Sequence, residues 1–106
     1  MPKSGFSVAR VTWTPQAIDD IEKIRDFISR DSPTYGSLVA QRLVETVGRL
    51  EQFPASGRIV PEFRDETIRE VLWGSFRVVY RYADGRVDVL TVYHGARILH
   101  DPRGGK

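Results

Sequence analysis

Apolar positions along this chain fall into two rhythms. From Ala17 they recur at Ile21, Ile24 and Ile28, spacings of four, three and four that make one stripe on a helix. Asp19, Asp20, Glu22, Lys23 and Asp26 fill the opposite side. Leu43, Val47 and Leu50, extended upstream by Val39 or Ala40, make a second stripe. Thr14-Pro15 and Ser32-Pro33 each set a hydroxyl N-cap before a proline at the first helical position. Asp31-Ser32-Pro33 divides the two helices and Phe53-Pro54 ends the second, so the pattern predicts a helical hairpin.

Elsewhere the rhythm is two. Ser7–Trp13 alternates well enough for a first strand, and the C-terminal third predicts three more: Thr67–Trp73, Phe76–Ala83 and Arg86–His94. Gly74-Ser75 suits a type II′ turn and Asp84-Gly85 a type I′ turn, so these strands form an antiparallel meander. The turns set a register in which Trp73 faces Phe76, Ala83 faces Arg86, Arg81 faces Asp88 and Phe76 faces Tyr93. Between helices and meander, ASGRIVPEFRDE (Ala55–Glu66) is rich in turn residues and reads as a loop. The fold class is α+β: one domain over residues 1–106, with the helices on one face of the sheet and loose ends at 1–6 and 100–106.

Alternation sorts the meander into two faces. Val71, Trp73, Phe76, Val78, Tyr80, Tyr82, Val87, Val89 and Tyr93 make an apolar bed for the helices, with the Tyr93 hydroxyl expected in a core hydrogen bond. Ile68, Glu70, Leu72, Arg77, Val79, Arg81, Asp88, Leu90, Val92 and His94 make a mixed face expected to meet solvent or a partner. On it Glu70, Arg77 and His94 invite two readings. A base, an acid and guanidinium groups could cleave RNA without a metal. Equally, Glu70 with the arginines and Arg81 with Asp88 could be cross-strand ion pairs. Arg58 and Arg64, on the long loop, are solvated charges or docking residues.

Composition narrows the classes. Sixteen basic residues, thirteen of them arginine, against fourteen acidic ones leave a net charge of +2, too little for strong non-specific duplex binding. Without cysteine there is no disulfide or thiolate site, in keeping with a cytoplasmic location. His94 and His100 are the only histidines and lack metal-ligand spacing, so neither metal nor cofactor is expected. MPKSGFSVARV has no apolar run of signal-peptide length, and no window reaches the roughly 20 apolar residues of a membrane span.

Four segments, TPQAIDDIEKIRDFI, FPASGRIVPEF, IREVLWGSFRVVYRY and VDVLTVYHGARIL, resemble the RelE/ParE toxin superfamily, the poison halves of bacterial type II toxin–antitoxin pairs. The resemblance runs from about Val8 to Leu99. It implies a strand, a helical hairpin and a three-stranded meander, and an antitoxin partner. RelE-type members are ribosome-dependent mRNA endonucleases; ParE-type members poison DNA gyrase. The nuclease branch carries a lysine pair on the second strand, an arginine early in the third, another after the last strand, and a near-terminal aromatic acid–base residue. Arg77 and Arg97 match its arginines. The lysine positions hold Ile68 and Glu70, or Arg69 and Val71, and no tyrosine follows Arg97. FPASGR, VPEF and HGAR are similar to the ParE side, which implies a gyrase poison with no catalytic residues. Its partner-binding candidates are Arg58, Arg64, Arg77, Arg81, His94 and Arg97, with no sequence-specific DNA binding by the toxin alone. The alternative, from a sub-branch using a glutamate, an arginine and a histidine, is an endoribonuclease built on Glu70, Arg77, His94 and Arg97, with ribosome and mRNA as partners.

Overall fold

A computed structural model describes residues 8–95. Strand β1 (Arg10–Trp13) leads into helices α1 (Pro15–Ser29) and α2 (Pro33–Gly48), which a 3-10 turn extends to Glu51. Then come β2 (Arg58–Ile59), a 3-10 turn at Pro61–Phe63, and strands β3 (Ile68–Trp73), β4 (Phe76–Ala83) and β5 (Arg86–His94). Both helices start where the hydroxyl–proline pairs put them. Thr14 Oγ1 accepts from the Ala17 N–H at 3.2 Å, and Ser32 Oγ from the Tyr35 N–H at 3.2 Å, each satisfying one orphan donor of a first turn.

The strands join in one five-stranded sheet, ordered β1-β5-β4-β3-β2. β1 runs parallel to the first half of β5, Arg10 facing Arg86 and Trp13 facing Val89. Gly74 (φ 57°) and the pair Asp84 (φ 56°) and Gly85 (φ 71°) adopt the left-handed conformations that the two tight turns require. Ala17, Val39, Leu43 and Val47 of the helices bury themselves against Val78, Tyr80, Val87, Val89 and Val92 of the sheet. Each valine or leucine among them is worth about 1.5–3 kcal/mol on burial, and this side holds most of the core.

The expected loop at Ala55–Glu66 is the first correction. Arg58 and Ile59 pair antiparallel with Glu70 and Arg69, making an edge strand too short for alternation to reveal. The register of the last hairpin is the second. Trp73–Phe76, Ala83–Arg86 and Arg81–Asp88 pair as the turns dictate, but between Tyr80 and Val79 the ladder slips. Tyr80 faces Val89 and Val79 faces Thr91, so Leu90 is the extra residue of a β-bulge. Beyond it Phe76 faces His94, not Tyr93, and Arg77 faces Tyr93.

That one-residue slip reverses the faces of the strand end. Val92 joins the helix-side core, whereas Tyr93 packs with Ile68 and Val79 on the other side. Nor does the mixed face lie open as expected. Ile68, Val79 and Tyr93 are buried there beneath Val60, with Phe63 and Leu90 packed around them, forming a second, smaller core.

Candidate functional site

The second core is held by the chain from Pro54 to Phe63, in which Pro54, Ala55, Gly57 and Arg58 each make a specific contact. The Pro54 carbonyl accepts a hydrogen bond from the Tyr80 hydroxyl at 2.7 Å, and Gly57 N–H donates to that hydroxyl at 3.0 Å. A Cβ on Gly57 would stand 2.6 Å from the Glu70 carbonyl oxygen and 2.6 Å from the Tyr80 hydroxyl, so only glycine fits. Arg69 donates to the Gly57 carbonyl at 2.8 Å and to the Ala55 carbonyl at 3.2 Å. Downstream, Asp65 Oδ1 accepts from both the N–H and the hydroxyl of Thr67, turning the chain into β3. Arg64 takes a left-handed conformation (φ 50°) just before that turn.

At the centre lies Glu70, 2 % exposed. Its carboxylate receives Arg58 Nε at 2.6 Å and Arg77 Nη1 at 3.2 Å. Burying a carboxylate is tolerable only when it is paired this way. The two guanidinium groups come from opposite neighbours: Arg58 lies directly across on β2, and Arg77 comes from β4. The Glu70 charge holds the Arg77 guanidinium protonated above its ordinary range, against the opposing effect of burial.

Tyr93 completes the cluster. Burial pushes its phenol up from the usual range, the Arg77 charge opposes this, and Glu70 and Glu62 add to it. The Tyr93 hydroxyl is buried and feels the charge of Arg77, yet makes no hydrogen bond of normal geometry among the described residues.

The predicted residues are therefore distributed unevenly. Glu70 and Arg77 come together, as the ion-pair reading expects, and Arg58, expected as a solvated or docking charge on a loop, joins them as the second partner of Glu70. Arg81 faces Asp88 in register, but its guanidinium reaches the Thr67 hydroxyl at 3.3 Å. Asp88 accepts from Thr12 and pairs with Arg86 at 3.2 Å, with the Arg81 charge a weaker influence on its carboxyl. His94 sits edge-on to Phe76, with ring centroids 5.5 Å apart, on the helix side of the bulge. With Arg77 it lines a hollow of about 350 Å³ under the Gly74-Ser75 turn. Arg97 lies outside the described residues. Alternation alone misplaces Val92, Tyr93 and His94, because it conceals the bulge that precedes them.

On the opposite side of the molecule α1 and α2 leave an apolar groove of about 560 Å³ between them. Ile18, Ile21, Ala40 and Val44 line it, and Glu22 and Arg25 stand among its polar residues. Ile18 and Val44 remain about half exposed, although both are large apolar side chains. Among the described residues no helix is long and apolar enough to cross a membrane, and no group of histidine and acidic residues gathers as a metal site.

Comparison with known proteins finds the family described as "ParE toxin of type II toxin-antitoxin system, parDE", whose model matches residues 11–99. A relative named "Toxin RelE2" from Caulobacter vibrioides is 34% identical over 92 residues, 86% of this chain and the whole of that protein. Among solved structures, a chain from the chromosomal ParDE toxin–antitoxin system of P. aeruginosa superposes with a TM-score of 0.68 at 21% identity. That match covers 82% of this chain and 96% of the other. A chain of the toxin–antitoxin complex RelBE2 from Mycobacterium tuberculosis gives 0.61 at 25% identity, over 82% and 98%. Both share the two-helix, five-strand α+β arrangement.

Proposed function

This chain belongs to the ParE toxin family of type II toxin–antitoxin systems, and we propose that it acts as a gyrase poison. In this reading it grips DNA gyrase, traps the enzyme on cleaved DNA, and is silenced by a cognate antitoxin. The Arg58–Glu70–Arg77 clamp carries the proposal. Metal-free RNA cleavage needs a group able to exchange a proton with the ribose hydroxyl, and guanidinium groups aimed at the phosphorane. Here the one carboxylate among those residues is buried, and its oxygens already receive guanidinium N–H groups. The arginines are tied to the sheet, so they brace a recognition edge instead of turning over a substrate. Arg58, 62% exposed at its side chain, with Arg64 on the same segment, offers that edge to an acidic or phosphate-bearing surface.

The antitoxin's seat in this reading is the groove between α1 and α2. An amphipathic helix laid there covers Ile18 and Val44 with its apolar stripe, and the charged residues of the groove set its register. The two structural relatives come from toxin–antitoxin systems, which supports such a partner.

A second reading, translation-coupled cleavage of mRNA, draws support from the Caulobacter relative's RelE2 name. One experiment separates the two: free toxin is added to a gyrase supercoiling assay and, in parallel, to a translating extract whose message is mapped for breaks. The proposal expects supercoiling to stop while the message stays intact. Unimpeded supercoiling at toxin excess, with cuts in translated mRNA, overturns it in favour of the second reading.

A further inference from the structure

The bulge in β5 raises a question of register. Two pairings of Leu90–His94 with β4 satisfy the apolar pattern about equally: one buries Val92 against the helices, the other buries Tyr93. Hydrophobic content alone does not choose between them. Something else must hold the extra residue in place.

β1 ends at Trp13, opposite Val89, so among the described residues the outer edge of β5 has no strand partner from Leu90 onward. The start of α1 fills the gap. Thr14 Oγ1 donates to the Leu90 carbonyl at 3.1 Å. Asp20 Oδ2 accepts from the Thr91 hydroxyl at 2.5 Å and from the Val92 backbone N–H at 3.0 Å. Gln16 donates to the other carboxylate oxygen, Oδ1, at 2.8 Å and fixes its rotamer. Thr14 and Asp20, the latter steadied by Gln16, thus grip the three residues at the bulge, and each contact to Leu90, Thr91 and Val92 depends on their present register.

We infer that Asp20 is a positioning residue: it locks the bulged register of β5, and thereby decides that Tyr93 stands beside Arg77 and Glu70 while His94 turns to Phe76 on the helix side. Sequence periodicity assigns Asp20 to the polar side of an exposed helix, where it would be interchangeable with its neighbours. Its carboxylate instead does the work of a missing strand, taking up the amide that β1 is too short to pair. Without it the Val92 N–H loses its acceptor. The bulge-free pairing then becomes the better solution, and Tyr93 and His94 exchange faces. The inference concerns the free toxin and is independent of its target.

Nuclear magnetic resonance on the purified protein and on Asp20→Ala, Asp20→Asn and Thr91→Val tests it. Wild type is expected to show cross-peaks between the Phe76 and His94 rings and a slowly exchanging Val92 amide. Asp20→Ala is expected to lose those cross-peaks, gain Phe76–Tyr93 ones, and exchange Val92 at least tenfold faster. Asp20→Asn keeps a side-chain carbonyl for the Val92 amide and should restore the wild-type pattern, which a general loss of helix stability would not explain. A folded Asp20→Ala protein with its Phe76–His94 cross-peaks and Val92 protection intact overturns the inference. If Asp20→Ala does not fold, Thr91→Val decides: faster Val92 exchange supports the lock, and unchanged exchange overturns it.

Discussion

The two faces of the β3–β4–β5 sheet are built on different principles. The helix side is assembled by area: Leu43, Val47, Val78 and Val89 fit because they are apolar and of suitable size. The other side is assembled by geometry. Among the described residues only four apolar side chains are buried there, and the covering segment stays because Tyr80, Arg69 and Glu70 hold it at named atoms. Area tolerates substitution of one apolar residue by another, whereas an arrangement of directed bonds around a buried carboxylate tolerates very little. The proposal follows this division, with the helix side offering a groove to an antitoxin and the arginine side an edge to the target.

The largest loss of stability is expected at Leu43. This residue is wholly buried, so Leu43→Ala should lower stability by about 2–5 kcal/mol in urea unfolding. Gyrase inhibition per folded molecule should be unchanged. On the opposite face Gly57→Ala adds only a methyl group, yet it pushes Cβ against the Glu70 carbonyl and the Tyr80 ring. A loss of about 1–3 kcal/mol is expected, and inhibition should fall with it because the Arg58 segment is displaced.

Glu70→Gln sharpens the contrast at nearly constant shape. It removes the charge that Arg58 and Arg77 share; because Arg58 is well solvated and Arg77 partly so, the cost should be about 1–2 kcal/mol. Chemical-denaturant midpoints measure it. Under the gyrase reading this variant still inhibits supercoiling, but less strongly, because both guanidinium groups remain and are no longer held by the carboxylate. A nuclease that used Glu70 would lose its cleavage outright.

The smallest effect belongs to the sheet's other edge. A hydrogen bond from Thr12, helped by Arg86, holds the Asp88 carboxyl below the usual carboxylate range, against the effect of burial. A carboxyl whose folded pKa is depressed contributes stability above its unfolded value, about 3.9, and loses that contribution as pH falls through the folded value. Thr12→Val should therefore cost about 0.5–1 kcal/mol at neutral pH. The gap from wild type should close as pH drops below about 4, in unfolding curves recorded from pH 7 downward.

Much of this architecture is legible in the residues themselves. Helix starts follow from Thr14-Pro15 and Ser32-Pro33, and the tight turns from Gly74-Ser75 and Asp84-Gly85, because capping and left-handed conformations are local requirements. Glu70 near Arg77 was legible too, since neighbouring strands were in register from the turn between them. What escaped was set at a distance. β2 has two residues, too few for a period, and exists because Glu70 and Tyr80 hold its approach. The bulge at Leu90 escaped because its cause, Asp20, stands 70 positions earlier in the chain, and the apolar pattern permits either register. Hence Tyr93 and His94, adjacent in sequence, were each assigned to the other's face.

In the gyrase-poison reading the arginine face engages the target and the helix groove does not. A titration of DNA gyrase supercoiling with wild-type, Arg77→Gln and Val44→Asp toxins, at equal folded concentration, tests it most directly. Arg77 braces the Glu70 cluster, whereas Val44 lies half exposed in the groove on the far side. The account predicts that wild type and Val44→Asp inhibit alike while Arg77→Gln requires at least tenfold more protein. Equal inhibition by Arg77→Gln and wild type, or loss of inhibition in Val44→Asp, would contradict it.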